Sequence, residues 1–143
     1  MAAFRFAFLL DLARDSREDA AREMQAAQVA WQTAQGKLEQ VNSYRHEYRL
    51  RLTQGGQGGM TITQWRDFQL FLGKLDQAAD LQDREVQRLH GEYERLKRQW
   101  FECEKKVKAF EALEGRHLSA EQKRELKREQ ALLDEFNSRK RGL

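Results

Sequence analysis

The 143-residue sequence contains no proline. Proline is the strongest intrinsic helix breaker, because it lacks an N–H and its ring clashes with the preceding turn; without it, very long helices are open to this chain. Cysteine is nearly absent. Cys103 stands alone, which excludes an internal disulfide and permits, without requiring, a reducing compartment. Long hydrophobic runs are missing as well. The run Phe6-Ala7-Phe8-Leu9-Leu10 is closed by Arg5 and Asp11, too short for a signal-peptide core and far too short for a membrane span. These absences predict a cytoplasmic protein. Segregated charge is the last thing lacking: 26 basic and 23 acidic residues, net +3, alternate along the chain. That mixture suits a solvated helix surface, whereas a nucleic-acid footprint gathers basic residues on one face. The basic doublets Arg49/Arg51 and Lys97/Arg98 have acidic neighbours, and Arg139-Lys140-Arg141 is a short tail, so no nucleic-acid partner is expected.

What is present points to an elongated fold. Charged residues make up 34%, hydrophobic residues 40%, and the mean hydropathy is −0.90. A compact globule of this size carries more apolar and less charged residue, while a rod has more surface per residue. Three Trp, eight Phe and three Tyr argue against disorder.

One cluster interrupts the pattern. Gly55-Gly56-Gln57-Gly58-Gly59 ends a first helix and permits a reversal, and Thr61 or Thr63 offers an N-cap for a second. Steps of four and three from Phe6 give Phe6, Leu10, Ala13, Arg17, Ala20, Met24, Ala27, Trp31, Ala34, Leu38, Val41, Arg45, Tyr48 and Leu52. Only Arg17 and Arg45 are polar. From Trp65 the same steps give Trp65, Phe68, Leu72, Leu75, Ala79, Gln82, Val86, Leu89, Tyr93, Leu96, Trp100, Cys103, Val107 and Phe110. Only Gln82 is polar. Heptads sustained this long predict a coiled coil, and the short glycine loop makes its arms antiparallel neighbours. The predicted fold is all-α: two long helices in an antiparallel coiled-coil hairpin forming one domain, over about 4–54 and 61–139 with loop 55–60.

Register follows from the loop. If Leu52 faces Trp65, Met24 meets Tyr93, Trp31 meets Val86 and Leu38 meets Ala79, give or take a turn. Arg17 falls opposite Trp100, where its guanidinium is expected to lie along the ring. Phe6 falls near residue 111 and the second seam stops at Phe110, so the second helix is expected to overhang, unpaired, beyond about 114. Ser119 and Gln122 have the spacing of a capping box, which would mark a kink or restart. Leu126, Leu133 and Phe136 share one face of the overhang; they either lie on a solvated tail or need a partner.

Catalytic chemistry finds no support. His90 with Glu94, and His117 with Glu121, have i, i+4 spacing but no third ligand, so no metal is expected. Cys103 lies on the seam with no histidine opposite, so it reads as a small apolar residue. The glycine cluster lacks the Lys-Ser/Thr ending of a phosphate loop. No enzyme activity and no cofactor are expected. Tyr44 and Phe71 lie off the seam. With Tyr48, Phe68 and Leu75 they make an aromatic zone near the glycine tip, which either widens the core or docks a partner. The other candidate surface is the far end, with Phe4, Phe6, Phe8, Leu9 and the overhang.

An ordered set of segments carries a family resemblance: Phe4-Arg5-Phe6 with Leu9-Leu10-Asp11-Leu12-Ala13; Tyr44-Arg45-His46-Glu47-Tyr48; Trp65-x-x-Phe68-x-x-Phe71-Leu72; Trp100 and the charged stretch to Phe110; and Glu129-Gln130-Ala131-Leu132-Leu133-Asp134-Glu135-Phe136. In order, separation and total length the chain resembles the flagellar export protein FliJ family. The resemblance implies a non-enzymatic, stalk-like component of the type III export apparatus, cytoplasmic and peripheral at the inner membrane. Its implied partners are the export ATPase hexamer, the export-gate membrane protein and substrate-specific export chaperones. By position, the resemblance assigns Tyr44, Tyr48, Phe71 and Leu75 to the gate. It assigns Phe6, Leu10, Glu129, Gln130, Leu133, Asp134, Glu135 and Phe136 to the ATPase. The family's polar spacer before the second helix is replaced here by glycines. A generic coiled-coil adaptor or scaffold, a dimeric one included, is the alternative that the heptads alone allow.

Overall fold

A proline-free chain with heptads on both sides of a glycine cluster folds as two helices. The computed structural model describes residues 3–142 and contains α1, Ala7–Gln57, and α2, Ile62–Arg141. Among the described residues there is no strand.

The reversal is more economical than a five-residue glycine loop. α1 runs on through Gly55, and only the Gly58-Gly59 pair makes the turn. Gly58 N–H donates to the Gln54 and Gly55 carbonyls at 2.9 and 3.2 Å, and Met60 N–H donates back to Gly55 at 3.2 Å. Gly59 takes φ 85°, the left-handed conformation that closes a helix of this kind. The Met60 thioether lies over Gly55, where a Cβ would collide with it. α2 then opens on a capping box: Thr61 Oγ1 accepts from Gln64 N–H, and Gln64 Oε1 accepts from Thr61 N–H, each at 3.2 Å.

The packing divides into two units, each described by itself. One spans Ala21–Gln99; the other takes the chain up to Ala20 together with the chain from Trp100. In each, a stretch of α1 lies antiparallel to a stretch of α2.

In the Ala21–Gln99 unit, small residues on one helix make room for large ones on the other. Ala34, Leu72, Ala79, Val86 and Leu96 are buried. Cross-helix contacts descend in order. Tyr48 meets Phe68 and Phe71, with centroids 6.1 and 4.9 Å away. Arg45 Nη1 and Arg49 Nη2 both donate to Asp76 Oδ1, at 3.1 and 3.0 Å. Gln82 Nε2 donates to the Ala34 carbonyl at 3.0 Å. Trp31 stacks on Tyr93 at 5.5 Å and touches His90 at 4.6 Å. Trp31 was expected on Val86, so the alignment sits about one turn beyond the level read from Leu52 and Trp65. The longer α1 moves the turn toward α2 and accounts for the direction of the offset.

In the other unit Leu10, Ala20 and Val107 are buried. Phe6 faces Phe110 with centroids 6.4 Å apart, and Phe4 lies 5.7 Å from His117. Helix pairing thus reaches His117, while residues 122–142 are all exposed. One expectation is overturned here. Arg17 does not lie along Trp100; its Nη1 donates to Glu104 Oε2 at 3.3 Å, and Trp100 packs edge-on against Phe101. Glu104 lies one turn beyond Trp100 on the same face, and a charge-assisted bond holds the guanidinium there. The expected kink at Ser119 is also absent: α2 passes through Ser119 and Gln122 as continuous helix.

The seam itself is legible in the burial. Phe6 and every α1 seam position from Leu10 to Leu52 are buried or half-buried. On α2 only Trp65 departs, at 40% exposed.

Candidate partner-binding surfaces

Heptad patterning places apolar residues on the seam, so apolar residues left outside it mark candidate contact surfaces. The tip surface belongs to the Ala21–Gln99 unit. Tyr44 is 47% exposed and Phe71 43%, and both lie off the seam. Tyr48 is half-buried and meets Phe71 edge-on at 71°, while Arg51 stands over the outer side of its ring at 5.4 Å. Tyr48, Asp67, Phe68 and Phe71 line an open hollow of about 330 Å³. Leu75 is half-buried at a seam position. Of the four predicted tip residues, Tyr48 and Phe71 come together in one contact. Tyr44 presents its ring to solvent, and Leu75 supports the surface from within.

The second surface belongs to the other unit. Phe6 is half-buried against Phe110. Leu10 is only 1% exposed, so it is a core residue that holds this end together and offers no face to a partner. Phe8, Leu9 and Leu12 are the exposed groups beside it. A hollow of about 210 Å³ is lined by Leu9, Leu12, Ala13, Ser16, Cys103, Lys106 and Phe110. Leu12 was not singled out as a surface residue from sequence, since it lies off the seam between Asp11 and Ala13; only its place in the Leu9 hollow distinguishes it.

The exposed end of α2 carries the remaining predicted residues. Leu126, Leu132, Leu133 and Phe136 are all more than half exposed. The polar residues between them hold one another: Gln130 Nε2 donates to Asp134 at 3.2 Å, and Glu135 pairs with Arg139 at 2.8 Å. Gln122, Glu125, Leu126 and Glu129 line a shallow surface of about 270 Å³. The i, i+4 links fix the helix surface and keep the leucines and Phe136 on display.

The titratable groups lend themselves to surface electrostatics. His90 Nε2 lies 3.6 Å from Glu94, and Cys103 is a half-buried free thiol. Among the described residues no group of three His, Cys, Asp or Glu gathers as metal ligands, and no helix is long and apolar enough to cross a membrane. The Glu85 and Glu92 carboxyls are held below their ordinary value by hydrogen bonds from Arg88 and Arg95.

Helices paired along a heptad seam, with aromatic and aliphatic side chains displayed outside it, define a class: coiled-coil proteins that present surfaces for contact. The comparisons give the particular family. The family model described as Flagellar FliJ protein matches residues 1–141. The flagellar FliJ protein of Escherichia coli (strain K12) is 28% identical over 133 residues, 93% of this chain and 90% of the relative. That of Salmonella typhi is 26% identical over 131 residues, 92% and 89% of the two chains. No solved structure matches. The chain belongs to the flagellar FliJ protein family.

Proposed function

We propose that this chain is a non-enzymatic, stalk-like component of the flagellar type III export apparatus, working through contacts made by its two exposed surfaces. Family membership supports the coarser statement, a flagellar export component. The observation that carries the finer reading is the apolar set on the exposed end of α2. Leu126, Leu132, Leu133 and Phe136 face water on a stretch that finds no cover from α1. Aromatic and aliphatic anchors on an otherwise charged helix supply most of the binding energy when a partner buries them.

In this reading the exposed end of α2, with Glu129, Gln130, Leu133, Asp134, Glu135 and Phe136, and with Phe6 nearby in sequence to the Leu9 hollow, engages the hexameric export ATPase. Leu10 supports that surface from the core. Tyr44, Tyr48, Phe71 and Leu75 engage the export gate, and substrate-specific chaperones are delivered between the two. The protein acts in the cytoplasm, held at the inner membrane by its partners.

A pull-down with the export ATPase, comparing the full chain with a chain ending at Glu114, tests the assignment. Retention by the full chain and loss on truncation are expected. Equal retention would move the ATPase surface elsewhere. Light scattering separates the adaptor alternative: a monomer accords with the stalk, and a stable dimer burying the leucines and Phe136 would replace it.

A further inference from the structure

A heptad seam does not choose its own alignment. Sliding one helix by seven residues puts every seam position opposite another seam position, so the apolar pattern alone tolerates several registers. A short turn normally removes that freedom. Here the turn can form in two places: Gly58-Gly59 make it, but Gly55-Gly56 lie three residues earlier with the same backbone latitude. Moving the turn to the earlier pair shifts the alignment by about one heptad, since each residue of turn displacement changes the facing pair by two.

The three polar residues that interrupt the seam respond differently to that slip. In the observed alignment Arg17 bonds Glu104, Arg45 and Arg49 share Asp76, and Gln82 reaches the Ala34 carbonyl. After a one-heptad slip toward the earlier glycines, Arg17 faces Lys97 and Arg45 faces Gln69, while Asp76 faces Leu38. The opposite slip is resisted by the turn itself, because it unwinds Thr61 to Gln64 and breaks the capping box. The arginines are also evenly placed. Arg17 and Arg45 are 28 residues apart, and so are Asp76 and Glu104, four heptads in each case.

We infer that Arg17 with Glu104, and Arg45 and Arg49 with Asp76, are register keys that exclude the one-heptad slip permitted by the second glycine pair. Stability does not explain them. Arg45 Nε is buried without a hydrogen-bond partner. A charged residue set in an apolar seam costs stability relative to leucine, and the best-attested use of such a residue is to specify alignment.

The test uses the full chain with Cys103→Ala and spin labels on introduced cysteines, one pair in each packing unit: Lys37 with Gln99, and Glu18 with Arg116. All four positions are exposed. A one-heptad slip toward the earlier glycines lengthens each distance by about 10 Å, at 1.5 Å of rise per residue. The unsubstituted seam should give one distance per pair. Arg17→Leu with Arg45→Leu should keep the melting temperature or raise it while adding a second population about 10 Å longer. Arg17→Glu alone repels Glu104 and attracts Lys97 in the slipped alignment, so it should favour the longer distance. Restoring the pair as Arg17→Glu with Glu104→Arg should return the short one. Unchanged single distances in both the leucine variant and Arg17→Glu would overturn the proposal, as would a longer population already present in the unsubstituted seam. If the leucine variant lost its helical signal, Arg17→Glu and its restored pair would decide alone.

Discussion

Leu10 and Val107 show how little of this protein is fully interior: at 1% and 0% exposure they are the most buried side chains among the described residues. Each therefore carries more of the local packing than a residue in a globular core would. Leu10→Ala removes three carbons from a closed site. Typical losses for that change are about 2–5 kcal/mol, and a thin helix pair relaxes readily, so about 2–3 kcal/mol is expected in a urea melt. The same substitution at exposed Leu126 should leave the melt unchanged, which separates a core leucine from a displayed one. Gly59 is the other residue whose identity is dictated. Its φ of 85° costs an L-residue roughly 1–2 kcal/mol, so Gly59→Ala should lower the midpoint by that amount. Gly36, inside α1 with open space where a Cβ would stand, should gain helix stability on the same change, by about 1 kcal/mol. Arg17 marks the limit of reading single residues from sequence. Its seam position was legible; its partner was not, because Trp100 and Glu104 lie one turn apart on the same face and the alignment could be read only to within a turn.

At the scale of the element, the two helix starts differ in what holds them. α2 opens on the Thr61–Gln64 box, so Thr61→Ala should cost about 1 kcal/mol. Ser119→Ala, at a site with the same sequence signature, should cost nothing comparable, because α2 is continuous there and no free N–H group waits to be capped. The signature S/T-x-x-E/Q is thus readable only when a helix actually begins, and the glycine cluster supplies that condition at Thr61 alone. Charge acts along the same helix. Glu85 and Glu92 titrate below their ordinary 4.5 because Arg88 and Arg95 hydrogen-bond the carboxylates. A carboxyl with a depressed folded-state value stabilises the fold fully above its unfolded value and loses that contribution as pH falls through the folded one. The contribution of these two pairs to a thermal melt should therefore hold from neutral pH down to 4.5 and fall below it. Arg88→Gln with Arg95→Gln should remove part of that fall, and the difference should shrink in 1 M salt, where the screening length is about 3 Å. These pairs lie at the helix surface, so the effect is a slope in the acid limb and not a change in fold.

For the whole molecule, the seam, the turn and the antiparallel pairing were legible because each rests on a pattern that only one element satisfies: steps of three and four for the helices, glycine at the reversal. The alignment was legible only to within a turn, since Trp31 finds His90 and Tyr93 where Val86 was expected and heptads repeat what they encode. The surfaces were half legible. Residues off the seam could be counted from sequence, but burial was needed to separate Leu10, closed in the core, from Leu9 and Leu12 beside it. The tip now separates support from contact in the same way. Tyr48 and Leu75 are half-buried and hold the surface, whereas Tyr44 and Phe71 present theirs to solvent. Tyr44→Ala with Phe71→Ala removes exposed rings while leaving the Tyr48–Phe68 contact in place. If those rings anchor the export gate, each loss should weaken gate binding by about 2 kcal/mol, the scale of an interface hot spot, or roughly a factor of 30 in Kd. The double variant should then lose gate binding in a titration while retaining its helical signal and its capture by the export ATPase. Intact gate binding with lost ATPase capture would reverse the assignment of the two surfaces.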